Sequence, residues 1–329
     1  MQRVEQPLIS VVIPAFNAQT TILPTIQSVC LQTLRELEIL VVDDGSGDDT
    51  AKIVEAAAKE DSRIRLIKQA NKGVAAARNT GIGQARAPFV APVDADDLWR
   101  PEKLALQYHA IEDLRISMVY TGYCTIDEEG KVVSAHRPHH KGRVLEALFS
   151  ANIVGNGSSA LMRTADVRRI GGYDSGLRAQ NAQGCEDLSL YMRLADLGEF
   201  ALVPEYVTGY RELADNMSSN FFHMLKSFDL VQRPYIQRNP EHRDLFLRGR
   251  ADFIDHMFRR SVRDGKWRSA LDLLKAAHHQ DRGLLFRLLG SRPLVAAVTP
   301  KLIRLAVRKL RRTKHDLVGR DFLDLPPGV

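Results

Sequence analysis

The chain has 329 residues, of which 44% are hydrophobic and 26% are charged. This balance excludes a wholly disordered protein, because enough apolar residues are present to build a core. The 46 Lys and Arg residues outnumber the 40 Asp and Glu residues, for a formal net charge of +6. No run approaches the roughly 18 apolar residues of a membrane-spanning helix, and the length predicts about two domains.

Strands and helices alternate in the first part of the chain. The predicted strands are residues 8–14, 37–42, 63–68 and 89–93, and the predicted helices are residues 19–33, 48–59, 73–85 and 101–114. The most apolar of these strands, residues 8–14 and 89–93, are typical of a parallel sheet covered by helices on both faces. This order predicts a doubly wound, mostly parallel α/β fold, in which ligands bind at the carboxyl ends of the strands.

The pattern is less regular after about residue 120. A hairpin is predicted over residues 121–133, further strands over 158–162 and 200–210, and a helix over 186–197. Beyond about residue 220 the strand signals end and the chain is helical and basic. We therefore predict an α/β domain over residues 1–220, with halves of about 7–120 and 121–220, and a basic helical C-terminal region over 221–329.

Acidic residues follow two of the predicted strands. Asp43 and Asp44 end the second strand, and Asp94, Asp96 and Asp97 follow the fourth. Carboxylates at the ends of parallel strands face one crevice, where their mutual repulsion favours a cation. Oxygen ligands suit Mg²⁺ or Mn²⁺, which commonly also bind substrate phosphates. The alternative is that these residues only form turns after strands.

A glycine opens the third predicted helix. Gly73 lies at the helix start, where free amides and the helix dipole favour an anion. Lys72 and Arg78 add positive charge on either side of it. These residues predict an anion site, and the alternative is a surface helix with ordinary caps.

Seven segments resemble those of family 2 glycosyltransferases, in the same order. They are PAFN (residues 14–17), VVDDGSGDDT (41–50), NKGVAAARNTGI (71–82), VDADDLWRPEKL (93–104), GGYD (171–174), the Glu186-Asp187 pair, and Tyr210-Arg211 followed by Ser218. Each motif alone has little specificity, but their order and spacing are specific. The resemblance covers about residues 7–220.

The resemblance implies a GT-A fold, a nucleotide-sugar donor, an inverting transfer and a bound Mn²⁺ or Mg²⁺. The implied nucleotide-sugar site consists of Pro14, Ala15, Phe16, Asn17, Asp43, Asp44, Asn71, Lys72, Gly73, Arg78, Asp94, Ala95, Asp96 and Arg211. Within it, Asp43 or Asp44 would bind the base, usually uracil, and Ala15 and Arg78 would line the nucleotide pocket. Asp94 would contact the ribose side. Asp94 and Asp96 are the metal candidates, with Asp96 holding the ion on the diphosphate, and Arg211 would lie near the diphosphate or acceptor. Asp187 would be the catalytic base, and Glu186 is the second catalytic candidate.

Elementary chemistry agrees with these implied roles. Inverting transfer is one in-line displacement, so it needs a base for the acceptor hydroxyl and a cation for the departing diphosphate. The QxxRW motif of processive synthases is absent, so we expect transfer of a single sugar from a UDP-sugar to a glycan or lipid-linked acceptor in surface polysaccharide synthesis. The alternatives are a nucleotidyltransferase acting on sugar phosphates and a basic nucleic-acid-binding or scaffold protein. The acidic strand ends argue against nucleic acid as a partner, because they would repel its phosphates.

The segment Thr299–Lys314 carries seven basic residues and no acidic residue. On a helix its apolar residues would lie opposite most of the arginines, as in helices that bind anionic membrane surfaces. The alternatives are packing on the protein itself or on a second subunit. The three cysteines are far apart, which suggests neither a metal site nor a disulfide framework. We expect a cytoplasmic protein, with a membrane contact at the inner face through this segment.

Overall fold

The structure, a computed structural model, describes residues 6–212, 221–280, 282–289, 317–326 and 328–329. The basic segment Thr299–Lys314 and Ser218 lie outside the described residues. None of the helices formed by the described part of the chain is long and apolar enough to cross a membrane. Cys30, Cys124 and Cys185 are free thiols.

The alternation predicted for the first part of the chain is confirmed. Its strands are β1 (Ile9–Ala15), β2 (Leu37–Asp43), β3 (Ile64–Lys68), β4 (Phe89–Pro92) and the short β5 (Leu98–Trp99). Its helices are α1 (Ile22–Cys30), α2 (Thr50–Glu60), α3 (Val74–Gln84) and α4 (Lys103–Ile111). Strands β1, β2 and β4 are buried along their whole length, as their apolar sequences predict.

The second part of the chain contains longer strands and shorter helices. Its strands are β6 (Ile116–Ile126), β7 (Val132–His136), β8 (Ala160–Arg163) and β9 (Glu199–Arg211). Its helices are α5 (Leu145–Ser150), α6 (Thr164–Arg169), α7 (Gly176–Ala179) and α8 (Glu186–Ala195). Strands β6 and β7 form the predicted hairpin, with its turn at residues 127–130.

One nine-stranded sheet joins both parts, in the order β3-β2-β1-β4-β8-β6-β9-β5, with β7 paired to β6. Strands β1 to β4 pair in parallel, as predicted. The sheet as a whole is mixed. Strands β6 and β9 also pair in parallel, whereas β8 runs antiparallel to both of its neighbours and β5 and β7 pair antiparallel. A hairpin with a short turn can only produce antiparallel pairing.

The C-terminal helices are α9 (Phe221–Arg238), α10 (Arg243–Arg263), α11 (Trp267–Gln280) and α12 (Arg282–Leu289). Their buried side chains belong to the same core cluster as α5 and α8. The rings of Phe149 and Phe246 stack at 4.3 Å across this contact. Residues 317–326 and 328–329, here called the C-terminal strap, contact the hairpin and β9. The domain division at residue 220 stays a prediction.

Candidate active site

The carboxyl ends of β1, β2 and β4 open into a cleft of about 1010 Å³. The predicted site residues that line it are Pro14, Ala15, Phe16, Asn17, Asp44, Asn71, Gly73, Arg78, Asp94, Ala95, Asp96, Glu186 and Asp187. The predicted residues Asp43, Lys72 and Arg211 lie outside its lining. The topology therefore brings together residues from five separate segments of sequence.

Asp44 holds the loop that precedes α3. Its carboxylate accepts hydrogen bonds from the Gln69 side chain at 2.7 Å and from the backbone N–H groups of Lys72 and Gly73 at 2.8 and 2.7 Å. The amides that we expected to bind an external anion therefore bind this carboxylate of the protein itself. Gly73 has a φ of +89°, which favours glycine where the loop turns into the helix.

The turn after β1 is hydrogen-bonded to the turn after β2. The Asn17 backbone N–H donates to Ser46 Oγ at 3.0 Å, and Asn17 Oδ1 accepts the Gly47 N–H at 2.8 Å. Asp43 Oδ1 accepts a hydrogen bond from the Ser46 N–H at 3.1 Å, so Asp43 stabilises the turn after β2. Phe16 is 52% exposed at the cleft, which leaves its ring free to contact a ligand.

Arg78 connects the two sides of the cleft. Its Nη2 donates to Asp94 Oδ1 at 2.5 Å and its Nη1 to Asp187 Oδ1 at 2.8 Å, and only 4% of its side chain is exposed. Burial opposes its charge, but the two carboxylates raise its pKa overall. Gly157 makes this arrangement possible, since a Cβ there would lie 2.6 Å from Arg78 Nη2 and 3.1 Å from Asp187 Oδ2.

Asp187 and Glu186 begin α8 but have different surroundings. Burial raises the pKa of Asp187, and the charge of Arg78 opposes that shift. Glu186 is buried, and its Oε2 accepts the backbone N–H of Gly184 at 2.7 Å; burial raises its pKa as well. Asp187 therefore contacts Arg78, whereas Glu186 stabilises the loop before its own helix.

The acidic loop after β4 offers oxygen ligands. Asp96 is partly exposed in the cleft, and burial together with the nearby Asp94 raises its pKa to about 7. Among the described residues, no group of three or more His, Cys, Asp or Glu side chains could by itself hold a metal ion. Two carboxylates nevertheless fit Mn²⁺ or Mg²⁺, because such ions keep water and substrate phosphate oxygens as further ligands. Asp94 and Asp96 would hold the ion.

Asp97 and Arg211 lie behind this loop. Asp97 is fully buried and accepts hydrogen bonds from Ser158 Oγ at 2.5 Å and from the Arg211 backbone N–H at 2.8 Å. The Arg211 side chain donates through Nε to the Asp96 carbonyl at 2.7 Å. Its Nη1 donates to the carbonyls of Asp127 and Glu128 at 2.6 and 2.5 Å. The Arg211 guanidinium therefore binds backbone carbonyls and lies outside the cleft lining. Its place near the diphosphate or acceptor stays a prediction.

The opposite end of the cleft was not predicted residue by residue. It is lined by Tyr123, Tyr210, Met224, Phe228, Asp252, Phe253, His256 and Met257. The last six come from α9 and α10, for which the sequence has no recognisable motif. Tyr210 belongs to the Tyr210-Arg211 segment of the family resemblance, and this was the sequence signal for this end of the cleft.

Comparison with known proteins decides the family. Residues 10–170 match the model described as Glycosyl transferase family 2. Residues 10–170 of the chain belong to this family. The match includes every predicted site residue except Glu186, Asp187 and Arg211, so the family 2 assignment is independent of the proposed base.

Several curated relatives align with this chain. Chondroitin synthase of Escherichia coli is 36% identical over 129 residues, which are 39% of this chain and 19% of that protein. An uncharacterized glycosyltransferase of Rickettsia felis is 32% identical over 188 residues, 57% of this chain and 30% of its own. TuaG of Bacillus subtilis, a putative teichuronic acid biosynthesis glycosyltransferase, is 28% identical over 230 residues, 69% of this chain and 88% of its own. The chain thus spans less than a third of the first two relatives.

Solved structures share the fold. The crystal structure of S. aureus TarS superposes with a TM-score of 0.57 at 18% identity, over 88% of this chain and 54% of that one. The mannosyltransferase PcManGT from Pyrobaculum calidifontis, in complex with GDP-Man and Mn²⁺, gives 0.55 at 18% identity, over 93% and 81%. TarS 1–349 in complex with UDP-GlcNAc gives 0.53 at 17% identity, over 85% and 90%. At these identities the likeness shows the fold, and the predicted GT-A class is confirmed.

Proposed function

We propose that this protein transfers a single sugar, with inversion, from a UDP-sugar to a glycan or lipid-linked acceptor in surface polysaccharide synthesis. The observation that carries the proposal is the fork of Arg78 between Asp94 and Asp187, which joins the two halves of one cleft. One half offers a nucleotide site at the strand ends. The other offers a buried carboxylate at the start of α8.

The comparisons support the class of donor. Solved family-fold structures carry UDP-GlcNAc in TarS and GDP-Man with Mn²⁺ in PcManGT. The relatives include a chondroitin synthase and a putative teichuronic acid biosynthesis glycosyltransferase. These names support a polysaccharide product. We propose action on the cytoplasmic side of the cell membrane, with Thr299–Lys314 as the contact with anionic lipid.

Asp187 is the proposed general base. Its Oδ1 is held by Arg78, so Oδ2 is the oxygen available to take the proton of the acceptor hydroxyl as that oxygen attacks the anomeric carbon. The fixed guanidinium keeps this carboxylate in one orientation, which favours a near-attack geometry. Proton removal and bond formation are then one displacement, and no covalent intermediate with the protein is needed.

The donor half binds the leaving group. Asp44 and the turn at Asn17 shape the nucleoside end, and Asp96 lies toward the reacting centre. A divalent cation held by Asp94 and Asp96 would neutralise the charge that develops on the departing diphosphate.

A donor screen tests the proposal. The purified chain is incubated with Mn²⁺, an acceptor-rich cell-surface glycan fraction, and a panel of UDP-sugars and GDP-sugars, and nucleotide release is measured. We expect UDP release from one UDP-sugar, stimulated by the fraction. Release of pyrophosphate from a nucleoside triphosphate and a sugar phosphate would instead identify a nucleotidyltransferase. Retention of the anomeric configuration in the product would contradict the single displacement.

A further inference from the structure

The C-terminal strap is hydrogen-bonded to the β6–β7 hairpin. The Gly319 N–H donates to the Val132 carbonyl at 2.8 Å, and the Val132 N–H donates to the Arg320 carbonyl at 2.9 Å. The Phe322 N–H donates to the Gly130 carbonyl at 3.1 Å. The strap therefore extends the start of β7 and fixes one side of the hairpin turn.

The strap also packs on the strand that ends in Arg211. Phe322 is fully buried, and its ring covers Gly209 of β9 so closely that a Cβ there would lie 2.8 Å from it. Leu317 and Leu325 join the same buried cluster as Leu98 of β5. Strand β5 begins directly after the acidic loop, so the strap supports the carboxyl end of that loop.

A buried arginine adds a third connection. Arg100 is 3% exposed, and it donates to the carbonyls of Leu325 and Pro326 at 2.7 and 3.2 Å. It follows β5, so the chain just after the acidic loop is fixed to the strap. Because charge-assisted hydrogen bonds from a buried guanidinium are strong, this attachment is rigid.

Arg211 links the hairpin turn to the acidic loop. Its side chain bonds the carbonyls of Asp127 and Glu128 on one side and the carbonyl of Asp96 on the other. The contacts run without a gap from the strap to the turn, from the turn to Arg211, and from Arg211 to the backbone of Asp96.

We propose that the strap positions the Asp96 carboxylate for its cation, and that Arg211 is a positioning residue through which the strap acts. This inference rests on the proposed function, because it assumes a metal-assisted donor site. A metal ligand needs a fixed direction, and changes to the groups that orient ligands typically cost about 10–100-fold in metal affinity. The strap is about 110 residues beyond Arg211 in sequence, so no motif could have indicated this role.

Phe322→Ala tests the inference, with Leu323→Ala as the matched control, since Leu323 is the next residue and is 44% exposed. Mn²⁺ affinity in the presence of UDP is measured by electron paramagnetic resonance, and UDP affinity without metal by calorimetry. We expect Phe322→Ala to weaken Mn²⁺ binding about 10–100-fold. Metal-free UDP affinity should change less than about twofold, and Leu323→Ala should match the wild type. A general loss of structure would lower both affinities together.

Arg211→Lys is the second variant, because it keeps the charge but loses the fork that reaches three carbonyls. It should show the same selective loss of Mn²⁺ affinity, and it decides the matter if Phe322→Ala does not fold. Wild-type Mn²⁺ affinity in either folded variant would overturn the inference and leave the proposed function standing. Failure of the wild-type protein to bind Mn²⁺ with UDP would overturn both.

Discussion

Arg78 Nη1 lies 2.8 Å from Asp187 Oδ1, although 109 residues separate the two along the chain. The same guanidinium bonds Asp94, on the donor side of the cleft. Since a guanidinium is planar and its donors are fixed in direction, its position sets the orientation of both carboxylates. The proposed base and the proposed metal site are therefore coupled through one buried side chain.

Replacing Asp187 with asparagine tests its role as base. An amide cannot accept the hydroxyl proton, so turnover should fall by about 10²–10⁴. Donor affinity should change little, because Asp187 is not at the nucleoside end of the cleft. Steady-state kinetics and calorimetry with UDP measure the two quantities. A large fall in UDP affinity would reassign Asp187 to donor binding.

Glu186→Gln is the matched control for that experiment. The Glu186 carboxylate accepts the Gly184 N–H, and a glutamine oxygen can accept the same bond. We expect a loss of turnover below about tenfold, since the geometry of the loop survives. A loss as large as that of Asp187→Asn would make Glu186 part of the proton transfer.

Gly157→Ala should displace the Arg78 guanidinium without replacing any charged residue. The new Cβ would lie 2.6 Å from Arg78 Nη2, so the guanidinium must shift away from its two carboxylates. Misplacement of about 1 Å can cost about 10²-fold in turnover, and we expect a loss of that order. Gly83→Ala in α3 is the control, because its Cβ would meet nothing within 4 Å. Equal kinetics for the two variants would contradict the role of Gly157.

Asp96→Asn should weaken Mn²⁺ binding in the presence of UDP by more than about tenfold, because it removes a charged metal ligand. Metal-stimulated transfer should be lost with it. The melting temperature should be retained, since Asp96 is partly exposed. Asp272→Asn on the surface of α11 controls for the loss of one charge. Unchanged Mn²⁺ affinity, measured by calorimetry, would show that Asp96 is not a ligand.

Glu38 gives the fold a predictable pH dependence. Burial alone would raise its pKa, but hydrogen bonds from Ser10 and from the backbone and side chain of Arg86 lower it overall. A carboxylate with a lowered pKa stabilises the fold above its unfolded pKa, near 4.5, and loses that effect as the pH falls through its folded pKa. Glu38→Gln should lower the free energy of unfolding, measured with urea, by about 1–3 kcal/mol at pH 7 and by less below about pH 4.5. A cost independent of pH would contradict this, and the exposed Glu36→Gln should be neutral throughout.

The basic segment Thr299–Lys314 is tested by substitution, since truncation would also remove the strap. Replacing Arg304, Arg308, Arg311 and Arg312 with glutamine should abolish co-sedimentation with anionic phospholipid vesicles at low salt. Each arginine near the surface contributes about 1 kcal/mol to the free energy of membrane binding. Wild-type binding should fall as salt rises. The control variant carries glutamine at four other exposed basic residues, on α10 and α11: Arg248, Arg259, Arg268 and Lys275. Absence of binding by the wild-type protein would favour packing on protein instead.

The sequence predicted the strand ends because short-range signals determine them. An apolar run followed by Asp43 and Asp44, or by Asp94 and Asp96, identifies both the strand and the end that faces the ligand. The motif order then indicated Asp187. These features depend on residues that are close in sequence, and the structure places Asp44, Asp94, Asp96 and Asp187 in one cleft.

The pairings between distant residues could not be predicted in this way. Nothing near Arg78 in sequence indicates that its guanidinium spans two carboxylates, or that Gly157 provides the space for it. The resemblance implied a place for Arg211 near the diphosphate or acceptor, but the carbonyls that its guanidinium binds, at Asp96, Asp127 and Glu128, are far from it in sequence. The anion expected at Gly73 is Asp44, and only the three-dimensional path of the loop reveals this.

Three side chains of the C-terminal helices belong both to the cleft lining and to the hydrophobic core. Met224, Phe228 and Met257 line the cleft and are also buried members of the main core cluster, each no more than 8% exposed. A mutation that reshapes this end of the cleft therefore also opens a cavity or overfills the core. We expect changes in the shape of this end to require compensating changes elsewhere in the core, because stability limits which variants survive.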